Sequence, residues 1–116
     1  MKKISIITVT KNSEKFLQAT IDSLSKQKYQ NFEHIIIDGA STDQTLDIIK
    51  KNSKKITKWI SEPDQGLYYA MNKGLNFCTG DIIGILNSDD IYFPDTLAIV
   101  NEYFTKNEID FLFGSV

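Results

Sequence analysis

Two adjacent carboxylates, Asp89 and Asp90, follow an apolar run in the stretch Asp81–Asp90, which reads DIIGILNSDD. Neighbouring like charges repel each other, and a purely structural turn needs only one aspartate. A divalent cation would relieve the repulsion, because Mg²⁺ is typically held by one or two carboxylates while substrate phosphates and waters fill its other positions. The pattern therefore indicates a site for a metal ion and a diphosphate.

Other acidic residues also follow predicted strands. Asp38 ends a run of three isoleucines, and Glu62 and Asp64 lie in the loop EPDQG after the third strand. Ligands of an open parallel sheet bind outside the carboxyl ends of its strands, so we expect these side chains at one edge. Asp38 could accept hydrogen bonds from a base or a ribose hydroxyl, whereas for Asp64 a turn and a ligand contact stay equally open. Asp43, inside STD, is interpreted as a helix cap.

Apolar β-branched runs alternate with segments of helical periodicity along the whole chain. We predict strands at 4–10, 32–38, 55–61, 81–86 and 110–116, with helices between them at 12–27, 41–49, 67–78 and 94–104. This alternation is typical of the α/β class, in which a Rossmann-like parallel sheet carries helices on both faces. Residues 1–116 are long enough for one domain with one core.

Helix boundaries and buried helix faces are predicted from side-chain types. Asn12 or Ser13 is expected to cap the first helix. Leu67, Met71 and Cys78 are expected to form one side of the third helix.

Composition and charge exclude several classes of protein. The net charge of −2 gives no basic surface for a nucleic-acid backbone, so no nucleic-acid partner is expected. A lone Cys78 excludes an internal disulfide and a cysteine-based zinc site, and we interpret it as a small core residue. His34 is interpreted as a strand residue rather than a catalytic base. No segment approaches the ~20 apolar residues that cross a membrane, and the start lacks the apolar region of a signal peptide.

Three blocks of the sequence resemble family 2 glycosyltransferases, which have the GT-A fold. They are ISIITVTKNSEKFLQATIDSLSKQKYQNFEHIIIDGASTDQT, SEPDQGLYYAMNKGL and TGDIIGILNSDD. Their order and spacing agree with the family from Ile4 to about Leu97, which is nearly the whole chain. The resemblance implies that residues 1–116 form the nucleotide-sugar-binding domain.

The resemblance also implies roles for individual residues, with Asp89 as the ligand of Mn²⁺ or Mg²⁺. It places the following residues around the nucleotide: Val9, Thr10, Asp38, Asp64, Ser88 and Asp90. Two positions depart from the family. Asn87 stands where the D-x-D-type motif has its first aspartate, and Asp38 is followed by Gly39 rather than a second acidic residue.

Taken together, the resemblance implies a metal-dependent, inverting transfer of a hexosyl or related group from a UDP- or GDP-sugar to a glycan or lipid-linked acceptor. It also implies a place in cell-envelope polysaccharide biosynthesis. A cytoplasmic location is expected, with a peripheral position at the inner face of the membrane as an open alternative. Family members are usually longer, and their further part carries the acceptor site and the acceptor-side base. We therefore expect a truncated donor-binding half that binds the nucleotide without transferring the sugar.

Two further expectations stand beside this reading. Phe111 and Phe113 would form an apolar patch in a chain of this length, which predicts self-association into a homo-oligomer. A receiver-like, non-enzymatic α/β module with an acidic Mg²⁺ pocket is the alternative function. Receivers, however, carry an acidic pair after the first strand, where this chain has Thr-Val-Thr-Lys-Asn.

Overall fold

Strands and helices alternate along the chain, as the sequence predicts. The computed structural model describes residues 2–63 and 65–107, and for residues 105–107 the backbone alone. The elements are β1 (Ile4–Thr10), α1 (Leu17–Ser25), β2 (Phe32–Asp38), α2 (Thr45–Lys51), β3 (Lys58–Ser61), α3 (Leu67–Phe77), β4 (Ile82–Ile85) and α4 (Thr96–Asn107). A 3₁₀ turn at Ser53–Lys55 precedes β3, which therefore begins later than predicted. The predicted strand at 110–116, with Phe111 and Phe113, lies outside the described residues.

The four strands form one parallel sheet in the order β3-β2-β1-β4. β1 and β2 pair along their full length, from Ile4 opposite Phe32 to Thr10 opposite Asp38. The isoleucine-rich strands are buried on both faces, as parallel strands usually are. Because all four strands run in the same direction, the loops after them emerge at one edge, called here the carboxyl edge. The opposite edge is called the amino edge.

Helices cover both faces of the sheet, which confirms the predicted α/β architecture. On one face, Ile36 of β2 packs with Leu17 and Ile21 of α1 and with α2. On the other face, Ile35 and Ile37 pack with α3. No helix within the described part of the chain is long and apolar enough to cross a membrane.

The buried face of α3 differs from the prediction. Leu67 is 60% exposed, and Met71 and Cys78 are only half-buried, so the predicted apolar side is wrong. The residues that α3 buries are Ala70 and Gly74. A Cβ on Gly74 would lie 2.7 Å from Cγ2 of Ile7, so only a glycine allows this close approach of α3 to β1.

The predicted caps of the first helix are also wrong. α1 begins at Leu17, and neither Asn12 nor Ser13 caps it with a side chain. Instead, the carbonyl of Ser13 accepts hydrogen bonds from the N–H groups of Phe16 and Leu17, which makes a turn before the helix. The side chain of Asn12 instead accepts the N–H of Thr42, in the loop after β2.

Candidate functional site

The loops after β1 and β2 are joined by hydrogen bonds at the carboxyl edge. The N–H of Asn12 donates to Oγ of Ser41 at 2.8 Å, and its Oδ1 accepts the N–H of Thr42 at 2.8 Å. The N–H of Ser13 donates to Oγ1 of Thr45, also at 2.8 Å. The two loops therefore form one connected rim above the ends of β1 and β2.

Asp38 lies at the end of β2 and is completely buried. Its Oδ1 accepts the hydroxyl of Ser41 at 2.5 Å, and its Oδ2 accepts the N–H of Ser41 at 2.8 Å and the hydroxyl of Ser61 at 2.7 Å. The carboxylate thus holds together the loops after β2 and β3. Three donors occupy three of the about four acceptor positions of the carboxylate, and its contact with a base or ribose stays a prediction.

Thr10 and Val9 end β1 and point to opposite faces of the sheet. Thr10 is 2% exposed, and its Oγ1 has no hydrogen-bond partner among the described residues. An unsatisfied buried hydroxyl costs about 1–3 kcal/mol, which a ligand or a water could recover. Val9 is half-buried and packs against Ile35 and Ile37.

The stretch Asn87–Asp90 forms a tight turn after β4. The carbonyl of Asn87 accepts the N–H of Asp90 at 3.0 Å, which places Ser88 and Asp89 at the centre of a β-turn. Ser88 is buried, whereas Asn87 and Asp89 are exposed. No hydrogen bond or ion pair from the described residues reaches the carboxylate of Asp89. The turn therefore exposes the carboxylate of Asp89 to solvent without a partner from the described residues.

This turn is attached to the rest of the rim through Ser88 and Asp90. The hydroxyls of Ser88 and Ser13 are 2.7 Å apart and hydrogen-bonded to each other. Oγ1 of Thr20, on α1, lies 3.0 Å from the carbonyl oxygen of Ser88 and 2.6 Å from that of Asp90. The loops after β1, β2 and β4 are consequently one hydrogen-bonded unit.

The charge of Asp90 acts on a neighbouring buried tyrosine. Burial and then the negative charge of Asp90 raise the pKa of Tyr92 to about 12, which keeps the phenol protonated at neutral pH. Its hydroxyl donates to the carbonyl oxygen of Ile85 at 3.0 Å. Asp90 is half-buried, so it faces the site less openly than Asp89 does.

The loop after β3 completes the carboxyl edge. The N–H of Glu62 donates to the carbonyl oxygen of Asp38, and the Glu62 carboxylate pairs with Nζ of Lys73 at 2.8 Å. Asp64 lies outside the described residues, so its predicted place beside the nucleotide stays a prediction. Gly66, with φ +112°, then leads into α3 in a backbone conformation that favours glycine.

The residues of the Asn87–Asp90 turn fit a hard divalent cation that also binds a diphosphate. Within the described residues, no group of three or more His, Cys, Asp or Glu side chains could hold a metal ion by itself. The exposed oxygens of Asn87 and Asp89 match a cation that takes its other ligands from phosphates and water. Asp89 as a metal ligand stays a prediction.

The sequence predicts carboxylates at this site, which stay predictions as ligand contacts, and it does not predict the hydroxyls that hydrogen-bond the loops together. The side chains concerned are those of Ser13, Thr20, Ser41 and Ser61. The only signal in the sequence is the density of hydroxyl residues after β1 and β2, which turn propensity explains equally well. Asp43 lies in the turn just before α2, where its Oδ1 accepts the N–H of Thr45 at 2.9 Å, but the N-cap position is Gln44, which makes no side-chain cap hydrogen bond.

Solved structures of glycosyltransferases share this fold. The chain superposes on Staphylococcus aureus TarS 1–349 in complex with UDP-GlcNAc with a TM-score of 0.84 and 30% identity, covering 91% of this chain and 32% of TarS 1–349. The mannosyltransferase PcManGT from Pyrobaculum calidifontis, solved with GDP-Man and Mn²⁺, gives a TM-score of 0.85 at 23% identity, covering 93% of this chain and 34% of PcManGT. These likenesses confirm the GT-A fold.

Sequence comparison identifies relatives with named activities. The chain is 38% identical over 117 aligned residues to the PGL/p-HBAD biosynthesis glycosyltransferase of Mycobacterium bovis BCG, covering 97% of this chain and 46% of that protein. It is 32% identical over 113 residues to the Escherichia coli UDP-Glc:alpha-D-GlcNAc-diphosphoundecaprenol beta-1,3-glucosyltransferase WfgD, covering 97% of this chain and 45% of WfgD. The chain therefore spans about half the length of these relatives.

The family itself is decided by a match over nearly the whole chain. The sequence profile of Glycosyl transferase family 2 matches residues 5–116. This match decides against the receiver-like alternative and agrees with the resemblance that the three sequence blocks indicate. The chain therefore belongs to glycosyl transferase family 2.

Proposed function

We propose that residues 1–116 form the donor-binding domain of a glycosyltransferase and bind a nucleotide diphosphate sugar at the carboxyl edge. The whole protein then transfers the sugar to an acceptor hydroxyl. Family membership supports this proposal, as do the UDP-GlcNAc of TarS 1–349 and the UDP-Glc in the name of WfgD. UDP- and GDP-sugars are the donor class that we propose.

The observation that carries the proposal is the contrast between Asp89 and Asp38, another carboxylate of the same edge. The donors of Asp38 come from the chain itself, whereas Asp89 is exposed and unpartnered among the described residues. An exposed carboxylate fixed on a hydrogen-bonded turn is suited to a cation that accompanies a diphosphate. We therefore assign the metal to Asp89 and the diphosphate side of the site to Ser88 and Asp90.

The nucleoside is proposed to lie beside the ends of β1 and β2. The unpartnered hydroxyl of Thr10 supports this position, because a polar group of the ligand could satisfy it. Val9 lies on the opposite face of the sheet, and its contact with the nucleoside is proposed from the family resemblance alone. Asp38 acts in this proposal by exchanging the hydroxyl of Ser41 or Ser61 for a ligand donor, and Asp64 is kept as a contact beside the nucleotide.

The reaction requires that the donor be held with its anomeric carbon open to an acceptor hydroxyl. Mn²⁺ or Mg²⁺, when bound, would neutralise charge on the departing diphosphate. The chain's part is to hold the diphosphate at the Asn87–Asp90 turn and the nucleoside at Thr10, which orients the sugar between them. Inversion further requires a base that deprotonates the acceptor, and we assign no base among the described residues.

The acceptor is proposed to be a glycan or a lipid-linked saccharide of the cell envelope. The name of WfgD, which includes a diphosphoundecaprenol-linked saccharide, supports this class. An acceptor of that kind would place the protein in the cytoplasm at the inner face of the membrane. We also propose that the chain associates with itself, and we assign no residues to that contact.

The test of the donor site is calorimetric titration of the 116-residue chain with UDP and with GDP, each with and without Mn²⁺. We expect one nucleotide to bind more tightly with Mn²⁺. Replacing Asp89 by Ala should weaken Mn²⁺-dependent binding about 100-fold, which corresponds to about 2.7 kcal/mol. Asp95→Ala is the matched control, because Asp95 is an exposed aspartate of the same segment that pairs with Lys28 instead.

Two outcomes would contradict the proposal. If the unsubstituted chain binds neither nucleotide with Mn²⁺, the proposal of a donor site is wrong. Unchanged Mn²⁺-dependent affinity in Asp89→Ala would leave the donor site standing and show that the metal is held elsewhere.

A further inference from the structure

Helix α1 and the residues just after it carry an unusual buried face. Thr20, Ser23 and Gln27 are 0%, 8% and 3% exposed, although all three are polar. Their spacing of three and four residues places Thr20 and Ser23 in one row along the helix, and Gln27 continues that row just after Ser25, where α1 ends. We call these three residues the polar ladder.

Each member of the polar ladder binds the backbone of the segment that follows β4. Thr20 contacts two carbonyl oxygens of the Asn87–Asp90 turn. The hydroxyl of Ser23 accepts the N–H of Tyr92 at 3.2 Å. The side-chain amide of Gln27 donates to the carbonyl oxygen of Phe93 at 2.8 Å and accepts the N–H of Leu97 at 3.1 Å.

Backbone contacts of this kind fix the path of a segment. An apolar helix face would bury the same surface but would tolerate sliding, since hydrophobic contact has no direction. A buried polar side chain is costly unless it is hydrogen-bonded, so each rung of the ladder favours one register of the segment. The ladder thereby specifies where the turn lies relative to α1.

Thr20 is the rung nearest to the exposed carboxylate. Its single hydroxyl hydrogen can donate to the carbonyl of Asp90 at 2.6 Å, of Ser88 at 3.0 Å or of Phe16 at 3.4 Å, and Ser88 and Asp90 flank Asp89 on either side. Ser13 binds the side chain of Ser88 from the loop after β1. The backbone around Asp89 is therefore held from two directions, while its side chain is left without a partner.

We propose that the polar ladder is a positioning device for the Asn87–Asp90 turn, and that Thr20 is the positioning residue for Asp89. The consequence for donor binding rests on the proposed function. The positioning itself is a property of the chain alone and can be measured without a ligand.

Thr20→Val tests the proposal, because valine has the shape of threonine but cannot donate to the two carbonyls. We expect the amide of Asp90, which donates to Asn87, to exchange its hydrogen at least tenfold faster in this variant. For whichever of UDP and GDP the unsubstituted chain binds with Mn²⁺, the affinity of Thr20→Val should be about tenfold lower. Thr20→Ser keeps the hydroxyl and should restore both quantities.

The control is Ile21→Val, which removes one buried methylene from the neighbouring residue of the same helix. It reports what a general loss of stability does to exchange and affinity. Equal exchange of the Asp90 amide in Thr20→Val and Ile21→Val would overturn the positioning proposal. If the unsubstituted chain binds UDP or GDP with Mn²⁺ and Thr20→Val binds the same nucleotide equally well, the role of Thr20 toward Asp89 is overturned.

The two proposals fail separately. If the unsubstituted chain binds neither UDP nor GDP with Mn²⁺, the proposed function fails. Amide exchange in Thr20→Val then still decides whether the ladder holds the turn.

Discussion

Two carboxylates at opposite edges of the sheet, Glu33 and Asp89, differ in the hydrogen-bond partners that the fold supplies to them. At the amino edge, Glu33 is 5% exposed and accepts the hydroxyl of Ser5 at 2.6 Å and the N–H and hydroxyl of Thr79 at 2.7 and 2.9 Å. Lys3 adds an ion pair at 3.2 Å. At the carboxyl edge, Asp89 receives no donor from the described residues.

The pKa of Glu33 shows what these donors achieve. Burial alone would raise this pKa, but the hydrogen bonds from Ser5 and Thr79 and the contact with Lys3 outweigh burial and lower it to about 2. Asp38 is at the carboxyl edge yet resembles Glu33, since its donors are supplied by the chain. The difference that matters is therefore whether the fold supplies partners, which it does for Glu33 and Asp38 but, among the described residues, not for Asp89.

Removing Glu33 should give the largest loss of stability. Glu33→Ala leaves the N–H of Thr79 and the hydroxyl of Ser5 without their acceptor, so we expect the free energy of unfolding to fall by about 3 kcal/mol. Asp89→Ala, at the other edge, should change it by no more than about 0.5 kcal/mol. Urea unfolding of both variants measures the difference, and equal losses would break the comparison between the two edges.

Unfolding at acidic pH should distinguish the contribution of Glu33 to stability from that of His34, another buried group, which lies between the two edges. Nε2 of His34 is 2.7 Å from Oγ1 of Thr8, its Nδ1 has no partner among the described residues, and burial lowers its pKa to about 3. The imidazole is neutral when folded and takes up a proton when unfolded below about pH 6.5. Its contribution is therefore complete above pH 6.5 and is lost as the pH falls toward 3.

The contribution of Glu33 to stability is lost over a lower pH range than that of His34. Its pKa is lowered from 4.5 to about 2, so its contribution is complete above pH 4.5 and is lost as the pH falls toward 2. Between pH 6.5 and 5.0 only His34 should act, and it should remove up to about 2 kcal/mol from the free energy of unfolding. Urea unfolding at the two pH values tests this. His34→Gln should abolish the loss, and a loss that persists in this variant would assign the acid sensitivity to other groups.

The sequence predicts the sheet better than the helix boundaries. β1 and β2 have the predicted bounds, because an uninterrupted run of β-branched apolar residues has few alternatives to a buried strand. The start of α1 fails because Asn12 and Ser13 bind the loop after β2 rather than free N–H groups of the helix. Those partners come from about 30 residues away in sequence, where local capping rules do not reach.

The same limit applies to the site. Strand order and acidic spacing bring Asp38 and Asp89 to one edge, and the sequence predicts that much. It does not reveal that the chain itself supplies donors to Asp38, because one of them, Ser61, is 23 residues away and meets it only after β2 and β3 pair. Nor does it reveal the polar ladder, since Thr20 and Ser23 are ordinary residues of a helix until their partners are known.

Backbone conformation gives a final and smaller difference between the edges. At the amino edge, a Cβ on Gly80 would lie 2.6 Å from Oγ of Ser5, so glycine is required there by space. At the carboxyl edge, Ala40 has φ 57°, a left-handed conformation that costs a non-glycine residue about 1–2 kcal/mol. Ala40→Gly removes that cost but adds about 0.5–1 kcal/mol of chain entropy to the unfolded state.

The net expectation for Ala40→Gly is a free energy of unfolding that rises by about 0.5 kcal/mol, measured by urea unfolding. Ala19→Gly, at an exposed position of α1, is the matched control and should lower it by about 1 kcal/mol. A loss in both variants would mean that Ala40 is not strained. The carboxyl edge would then differ from the amino edge only in its unpartnered carboxylate, and the left-handed backbone of its rim would carry no energetic penalty.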